Sequence, residues 1–112
     1  MNTIDWTSIC SIDDIVPDTG VCALVDGGQV AVFRLGKDAL YAIDNVDPNS
    51  GAAVLSRGLV GSLGDRVVVA SPIHKQHFDL RTGECMEAPE HSVHAWQVRR
   101  NGDAVEIRRG EP

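Results

Sequence analysis

The stretch Val21-Cys-Ala-Leu-Val25, Asp26-Gly27-Gly28, Gln29-Val-Ala-Val-Phe-Arg-Leu35 consists of two apolar, β-branched runs separated by a glycine-rich turn. It predicts two antiparallel strands joined tightly, because glycine adopts positive φ at little cost. The next turn, Gly36-Lys37-Asp38, leads into another apolar run at residues 39–43. The pattern therefore predicts a three-stranded meander.

The second half of the chain repeats this pattern. Residues 66–70 and 77–80 are predicted strands, the latter closed by a turn at 81–84. Residues 94–100 and 104–109 flank Asn101-Gly102-Asp103, which predicts a hairpin with a type I′ turn. Val105 and Ile107 alternate with charged residues, as in a strand with one buried face.

The remaining segments carry weaker signals. Residues 44–65 read as irregular, with the glycines at 58, 61 and 64 as turns that lead into the strand at 66–70. The stretch Ser11-Ile-Asp-Asp-Ile15 has a weak helix-start pattern. The predicted fold class is all-β, an antiparallel sandwich or small barrel.

Length and charge limit the function. The 112 residues predict a single domain over residues 1–112. No apolar run approaches the roughly 20 residues that span a bilayer, and the N-terminus has no signal-peptide pattern. Acidic residues outnumber basic ones by 16 to 10, giving a net charge of −6, which disfavours nucleic-acid and anionic-membrane binding. We expect a soluble cytoplasmic protein.

Cys10, Cys22 and Cys85 are far apart in sequence and form no Cys-x-x-Cys pair, which is typical of a reducing compartment. We interpret them as small packing residues, with a reactive thiol as the alternative. The candidate nucleophiles Ser56, Ser62 and Ser71 lack a Gly-x-Ser-x-Gly elbow. The glycines at 58, 61 and 64 match neither a dinucleotide fingerprint nor a phosphate loop, so no independent active site is expected.

Two loops carry a family resemblance. Tyr41-Ala-Ile-Asp-Asn-Val-Asp-Pro-Asn-Ser-Gly51 and Ser71-Pro-Ile-His-Lys-Gln-His-Phe-Asp-Leu-Arg-Thr-Gly83 resemble the two cluster-binding loops of Rieske ferredoxins. That family carries Cys-x-His in the first loop and Cys-x-x-His in the second, followed by Phe-Asp and a Thr-Gly turn. The resemblance implies a Rieske-like fold over nearly the whole chain.

The resemblance places the four ligand positions at Asp47, Asn49, Ser71 and His74, so that one ligand of four is retained. A Rieske cluster needs two thiolates on one iron and two imidazoles on the other, and this set cannot supply them. No metal or cofactor is therefore expected in this chain. Asp47 and Asn49 are also turn formers whose side chains can bond nearby backbone amides, which suggests that they maintain the loop.

The cluster-less pattern is similar to one branch of this superfamily, the small subunits of assimilatory NAD(P)H-dependent nitrite reductases. That resemblance implies a non-catalytic subunit of an enzyme that reduces nitrite to ammonium. It also implies a large-subunit partner carrying FAD, siroheme and an iron–sulfur cluster. In isolation, exposed sheet edges could produce homo-oligomers.

The sequence leaves two alternatives open. His74, His77, His91 and His94 form two His-x-x-His pairs that, with Asp47, could hold a metal in a stand-alone electron carrier. The chain could instead be a Rieske-like interaction module of another reductase or oxygenase complex. Trp6 and Trp96 are predicted core or half-buried strand residues, and either could alternatively anchor a subunit interface.

Overall fold

The computed structural model describes residues 6–109, which form nine strands connected by turns and loops. The strands are β1 (Thr7–Ser11), β2 (Thr19–Val25), β3 (Gly28–Leu35), β4 (Ala39–Asp44), β5 (Leu59–Leu63), β6 (Arg66–Ala70), β7 (His77–Asp79), β8 (Ala95–Asn101) and β9 (Ala104–Arg108). Ile12–Asp14, Leu55–Arg57 and Pro89–His91 form single turns of 3₁₀ helix. No helix in this part of the chain is long and apolar enough to cross a bilayer.

The strands form two antiparallel sheets. The larger has the order β1-β9-β8-β4-β3-β2, and the smaller has the order β5-β6-β7. Together they form a nearly closed barrel, which confirms the all-β prediction. The predicted meander is also confirmed, because β3 pairs with β2 on one side and with β4 on the other.

Strand β3 lies between two hydrophobic cores. Its four central residues, 30–33, are fully buried, so both faces of the strand are covered. Successive side chains of a strand point to opposite faces. Val30 and Val32 accordingly belong to one core, whereas Ala31 and Phe33 belong to the other.

The two cores fasten different parts of the chain to the central strands. The first joins the barrel strands to the Ile12–Asp14 turn; its other buried members are Ile12, Ile15, Val25, Ala42, Val105 and Ile107. The second joins the barrel to the smaller sheet; its other buried members are Ile43, Leu55, Val69, Phe78, Leu80 and Cys85. The first core thus covers one face of β3 and β4, and the second core packs the smaller sheet against their other face.

Two strands were not predicted. β1 pairs with β9 through a bulge between Ser8 and Cys10, which breaks the simple alternation that marks a strand in sequence. β5 lies within the segment predicted to be irregular, and Gly61 is inside this strand rather than in a turn. The prediction failed there because β5 is largely exposed and is specified by its ladder with β6, not by an apolar pattern.

The two sequence-predicted hairpins use different turns. At the β2–β3 turn, Asp26 and Gly27 both have positive φ, +52° and +80°, as a type I′ turn requires. The β8–β9 hairpin is confirmed, but its turn residues are Gly102 and Asp103, and only Gly102 has positive φ. That pattern fits type II′, so the type I′ prediction at this turn was wrong.

Gly83 ends the turn after β7 and has a backbone conformation that residues with a side chain rarely adopt. Its φ is +82°, and a Cβ there would lie 2.0 Å from the carbonyl oxygen of Val93. We expect Gly83→Ala to lower the free energy of unfolding by about 3 kcal/mol or more, since backbone must move. Gly36→Ala is the matched control, because Gly36 has φ +59° and nothing within 4 Å of the added atom. It should cost about 1 kcal/mol in urea unfolding. Equal losses for the two variants would contradict this.

Candidate functional site

The first of the two resembling loops follows β4 and is folded around Asp47. The backbone N–H of Asp47 donates to the carbonyl of Ala52 at 2.8 Å, and the N–H of Gly51 donates back to the carbonyl of Asp47 at 2.7 Å. The Asp47 Oδ1 atom accepts a bond from the N–H of Asn49 at 2.8 Å. This is the local turn predicted from sequence, in which an aspartate bonds the backbone two residues ahead.

The base of this loop is held by Asn45, which sequence reasoning did not identify. Asn45 is 1% exposed, and its side chain accepts from the N–H of Ser56 at 2.7 Å and donates to Gln29 Oε1 at 3.1 Å. Its backbone bonds Gln29 and Leu55 as well. Asn45 therefore ties the loop to β3 and to the Leu55–Arg57 turn.

The second loop joins β6 to β7 and is folded around Ser71. The N–H of Ser71 donates to the carbonyl of Gln76 at 2.8 Å, and its carbonyl accepts from Lys75 at 3.0 Å. The N–H of Ile73 donates to Ser71 Oγ at 3.3 Å. At the end of β7, Asp79 Oδ1 accepts from the N–H of Arg81 at 2.7 Å and shapes the predicted turn at 81–84.

A buried hydrogen bond joins the two loops. Ser71 Oγ donates to Asp47 Oδ2 at 2.5 Å, and the two residues are 1% and 0% exposed. A second bond joins Asn49 Nδ2 to Gln76 Oε1. Three of the four residues singled out in these loops, Asp47, Asn49 and Ser71, thus take part in bonds between the loops, whereas His74 is exposed at the surface.

The hydrogen bonds decide the ionisation of Asp47. Burial of the carboxyl group is the largest influence and acts to raise its pKa. The hydrogen bonds from Ser71 and Asn49, together with the nearby His74, outweigh burial and hold the pKa below its ordinary value of 3.8. The ionised carboxylate is an acceptor only, which suits the bonds that it receives.

The four histidines do not come together. His77 Nδ1 lies 2.6 Å from Glu87 Oε2, and His94 packs edge-on against Trp96 with ring centroids 6.3 Å apart. Within residues 6–109, no group of three or more His, Cys, Asp or Glu side chains is arranged to hold a metal ion. The described structure therefore forms no four-histidine site.

The cysteines have three different environments. Cys85 is buried in the second core, as predicted for a packing residue. Cys10 is half-buried, and burial together with the nearby Asp14 raises the pKa of its thiol, which disfavours the reactive thiolate. Cys22 is exposed on β2 with its Sγ 3.3 Å from Gln29 Oε1, so the packing interpretation was wrong for this residue.

Both tryptophans are half-buried, but only Trp96 is a strand residue as predicted. Trp6 precedes β1, and the guanidinium groups of Arg99 and Arg108 lie over its ring, 4.2 and 4.5 Å from the centroid. Trp96 lies in β8 and donates from Nε1 to Asp44 Oδ1 at 2.9 Å. Trp96 also lines an open cavity of about 440 Å³ together with Val46 and Pro48 of the first loop.

Exposed apolar residues flank Asp47 and follow Ser71 in the two loops that the buried bond joins. Val46 and Pro48 of the first loop and Pro72 and Ile73 of the second are exposed, with Val46 at 40% and Ile73 at 47%. We call these four residues the loop tip. His74 and Lys75 are exposed beside it.

Comparison with known proteins shows the family to which the chain belongs. Residues 5–108 match the family described as the Rieske-like [2Fe-2S] domain, and the chain belongs to that family. It is 48% identical over 104 residues to the nitrite reductase (NADH) small subunit of Salmonella typhimurium, covering 92% of this chain and 96% of that protein. The NMR structure of E. coli NirD superposes with a TM-score of 0.88 at 45% identity, covering 96% of this chain and 98% of NirD. Within it, the chain belongs to the family of these nitrite reductase small subunits.

One further relative has a different architecture. The chain is 44% identical over 94 residues to a part of the nitrite reductase [NAD(P)H] large subunit of Klebsiella oxytoca. The match covers 84% of this chain but 10% of that large subunit. In that protein, a domain of this kind is therefore part of the large-subunit polypeptide.

The two loops do not fit the cluster that the family description implies. A Rieske cluster takes thiolates and imidazoles from its loops. Here Asp47 and Ser71 present oxygen atoms that are bonded to each other at 2.5 Å, and Asn49 presents an amide bonded to Gln76. These side chains satisfy one another, and of the four ligand positions only His74 could supply an imidazole.

The bond between Asp47 and Ser71 should contribute strongly to stability. Asp47→Ala leaves the Ser71 hydroxyl and the Asn49 amide without their acceptor, at a cost of about 3 kcal/mol. Asp38→Ala removes an exposed carboxylate that pairs with Arg100 and should cost less than about 1 kcal/mol in the same urea titration. Similar midpoints for the two variants would show that the bond between the loops adds little.

Stability should also fall in acid through Asp47. Because the folded-state pKa of Asp47 is lowered, its stabilising contribution is complete above its ordinary value of 3.8 and is lost as the pH falls through the folded-state pKa. We expect the melting temperature of the wild type to fall more steeply below about pH 4 than that of Asp47→Asn, which cannot titrate at this position. Parallel curves for the two proteins would contradict the assignment.

Proposed function

We propose that this chain is a cluster-less docking subunit of nitrite reductase, which binds the large subunit and carries no redox centre of its own. The observation that carries the proposal is the buried hydrogen bond from Ser71 to Asp47. It joins the loops at the positions where a Rieske protein would place its two cysteines. In this proposal the side-chain bonds take over the structural role of the cluster, while the electron-transfer role is lost.

The docking surface in this proposal is the loop tip. Exposed apolar residues on two loops that are hydrogen-bonded to each other are a reasonable protein interface, because exposed apolar surface often marks interaction sites. His74 and Lys75 lie beside the tip, and Lys75 adds a positive charge there on a chain whose net charge is −6. The two bonds between the loops would keep the tip in one conformation and reduce the entropy lost on binding.

The Klebsiella oxytoca relative supports the large subunit as the partner. A domain of this kind lies within the large-subunit polypeptide in that protein. Two domains that share one chain in one organism and occur as separate chains in another are reasonable candidates for a complex.

We propose that the large subunit carries FAD, siroheme and the iron–sulfur cluster, and that the complex works in the cytoplasm. In the complex, docking would order or shield part of the large subunit.

The absence of a redox centre is tested on the purified chain. We expect a colourless, folded protein without stoichiometric iron or acid-labile sulfide, because three of the four ligand positions lack thiolate or imidazole. Iron, sulfide and the visible spectrum are measured on protein expressed with iron and sulfide assembly intact. Stoichiometric iron and sulfide would overturn the proposal in favour of an electron carrier with unconventional ligands.

Docking through the loop tip is tested with Ile73→Glu. The variant places a charge at the centre of the proposed interface and should weaken binding to the large subunit by about tenfold or more. Leu63→Glu is the matched control, because Leu63 is 40% exposed but lies at the β5–β6 turn, at the far end of the ladder from Ser71. Binding is measured by titrating each variant against the purified large subunit. Equal affinities would exclude the tip as the interface.

A further inference from the structure

The larger sheet ends in two edge strands that do not pair with each other. β1 and β2 are the terminal strands of the order β1-β9-β8-β4-β3-β2, and both line one groove of about 400 Å³. An unpaired edge exposes backbone N–H and C=O groups that can bond an additional strand. The groove is therefore bordered by two candidate edges.

The β1 edge is partly blocked. Its pairing with β9 is interrupted by the bulge between Ser8 and Cys10, which disturbs the regular spacing of the edge. The N–H of Ser11 already donates to Asp14 Oδ2 at 2.9 Å. Bulges and local capping are the usual ways in which proteins protect an edge strand.

The β2 edge has no such protection. β2 is seven residues long, pairs with β3 in unbroken register, and contains no proline and no charged residue. Because its type I′ turn closes on the Val25–Gly28 pair and bonded pairs alternate, the backbone groups of Cys22 and Leu24 point away from β3. In the described structure, no backbone bond outside the ladders reaches these two residues. Leu24 is 80% exposed.

The charged side chains at this edge, among the described residues, are all carboxylates. Asp14 lines the groove, and Asp18 and Asp26 are exposed immediately before and after β2. No Lys or Arg lines the groove among the described residues. An extended segment that carries basic residues would therefore be favoured here by charge complementarity.

A second copy of this chain is a poor occupant of the edge. Each copy has a net charge of −6. Antiparallel pairing of two β2 strands centred on Cys22 would place Asp18 of one copy opposite Asp26 of the other at both ends. Like charges directly opposite each other are unfavourable in a sheet.

The β2 edge is continuous with the loop tip. Val25 and Asp26 at the end of β2 line the same cavity as Val46 and Pro48 of the first loop. A partner that docks on the tip would thus reach β2 across this cavity. We propose that an extended, basic segment of the large subunit adds to the free edge of β2 as an additional antiparallel or parallel strand, with an apolar side chain over Leu24. This inference rests on the proposed function.

The experiment compares hydrogen exchange in the free small subunit and in its complex with the purified large subunit. Strand addition should slow exchange of the Cys22 and Leu24 amides, because both become bonded.

Leu24→Lys should weaken the complex by about tenfold, since it adds repulsion and removes an apolar contact. Leu63→Lys is the control and should bind as the wild type does. Asp26→Asn, which tolerates the positive φ at this position, should weaken binding by about threefold and reduce its salt dependence.

The possible failures are distinguishable. A complex in which the Cys22 and Leu24 amides exchange as before, and in which Leu24→Lys binds as tightly as Leu63→Lys, overturns strand addition and leaves the proposed function intact. Protection of these amides in the isolated chain that increases with its own concentration assigns the edge to a second copy and overturns the proposed occupant. If no complex forms, the proposed function fails and this inference fails with it.

Discussion

A single buried hydrogen bond, from Ser71 Oγ to Asp47 Oδ2, is the constraint on which the loop tip depends. Each of the two residues also organises its own loop, Asp47 by accepting from Asn49 and Ser71 by accepting from Ile73. The bond therefore couples two local turns into one rigid unit. Both residues are buried, so each would be costly to leave unpaired, and the ionised carboxylate strengthens the bond. Polar side chains can thus hold together two loops that, in a Rieske protein, meet at a metal cluster.

The loops meet because the strands that carry them are fixed to the same two cores. The first loop leaves β4, whose Ala42 and Ile43 belong to opposite cores, and the second leaves β6, whose Val69 belongs to the core shared with Ile43. The loops therefore start from elements that are already in contact. Asn45 then closes the base of the first loop against β3. The position of the tip is a consequence of this packing, and the polar bonds fix its final geometry.

The strands that sequence reasoning found and those that it missed differ in a physical way. β2, β3, β4, β6 and β9 carry apolar residues that fill the cores, so their patterns are visible in sequence. β5 is mostly exposed and contains a glycine, and β1 carries a bulge, so neither shows a regular alternation. The β8–β9 hairpin was found, but its turn type depends on the ladder ending at Asn101 and Ala104, one residue later than the Asn-Gly pair suggests. Cys22 was interpreted as a packing residue because sequence does not show which face of β2 is covered.

The sequence by itself determined the all-β class, the central meander, the two loops and the family resemblance, because these depend on apolar periodicity, on glycine turns and on local motifs. It also indicated that three of the four loop positions lack cluster-ligand chemistry. Only the tertiary structure decided that Asp47 and Ser71, 24 positions apart, bond directly to each other, and that Asn49 bonds Gln76. It also decided that the edge of β2 is open while that of β1 is partly blocked. Contacts between distant segments depend on how the sheets stack, and sheet stacking is set by the whole core, which no local pattern specifies.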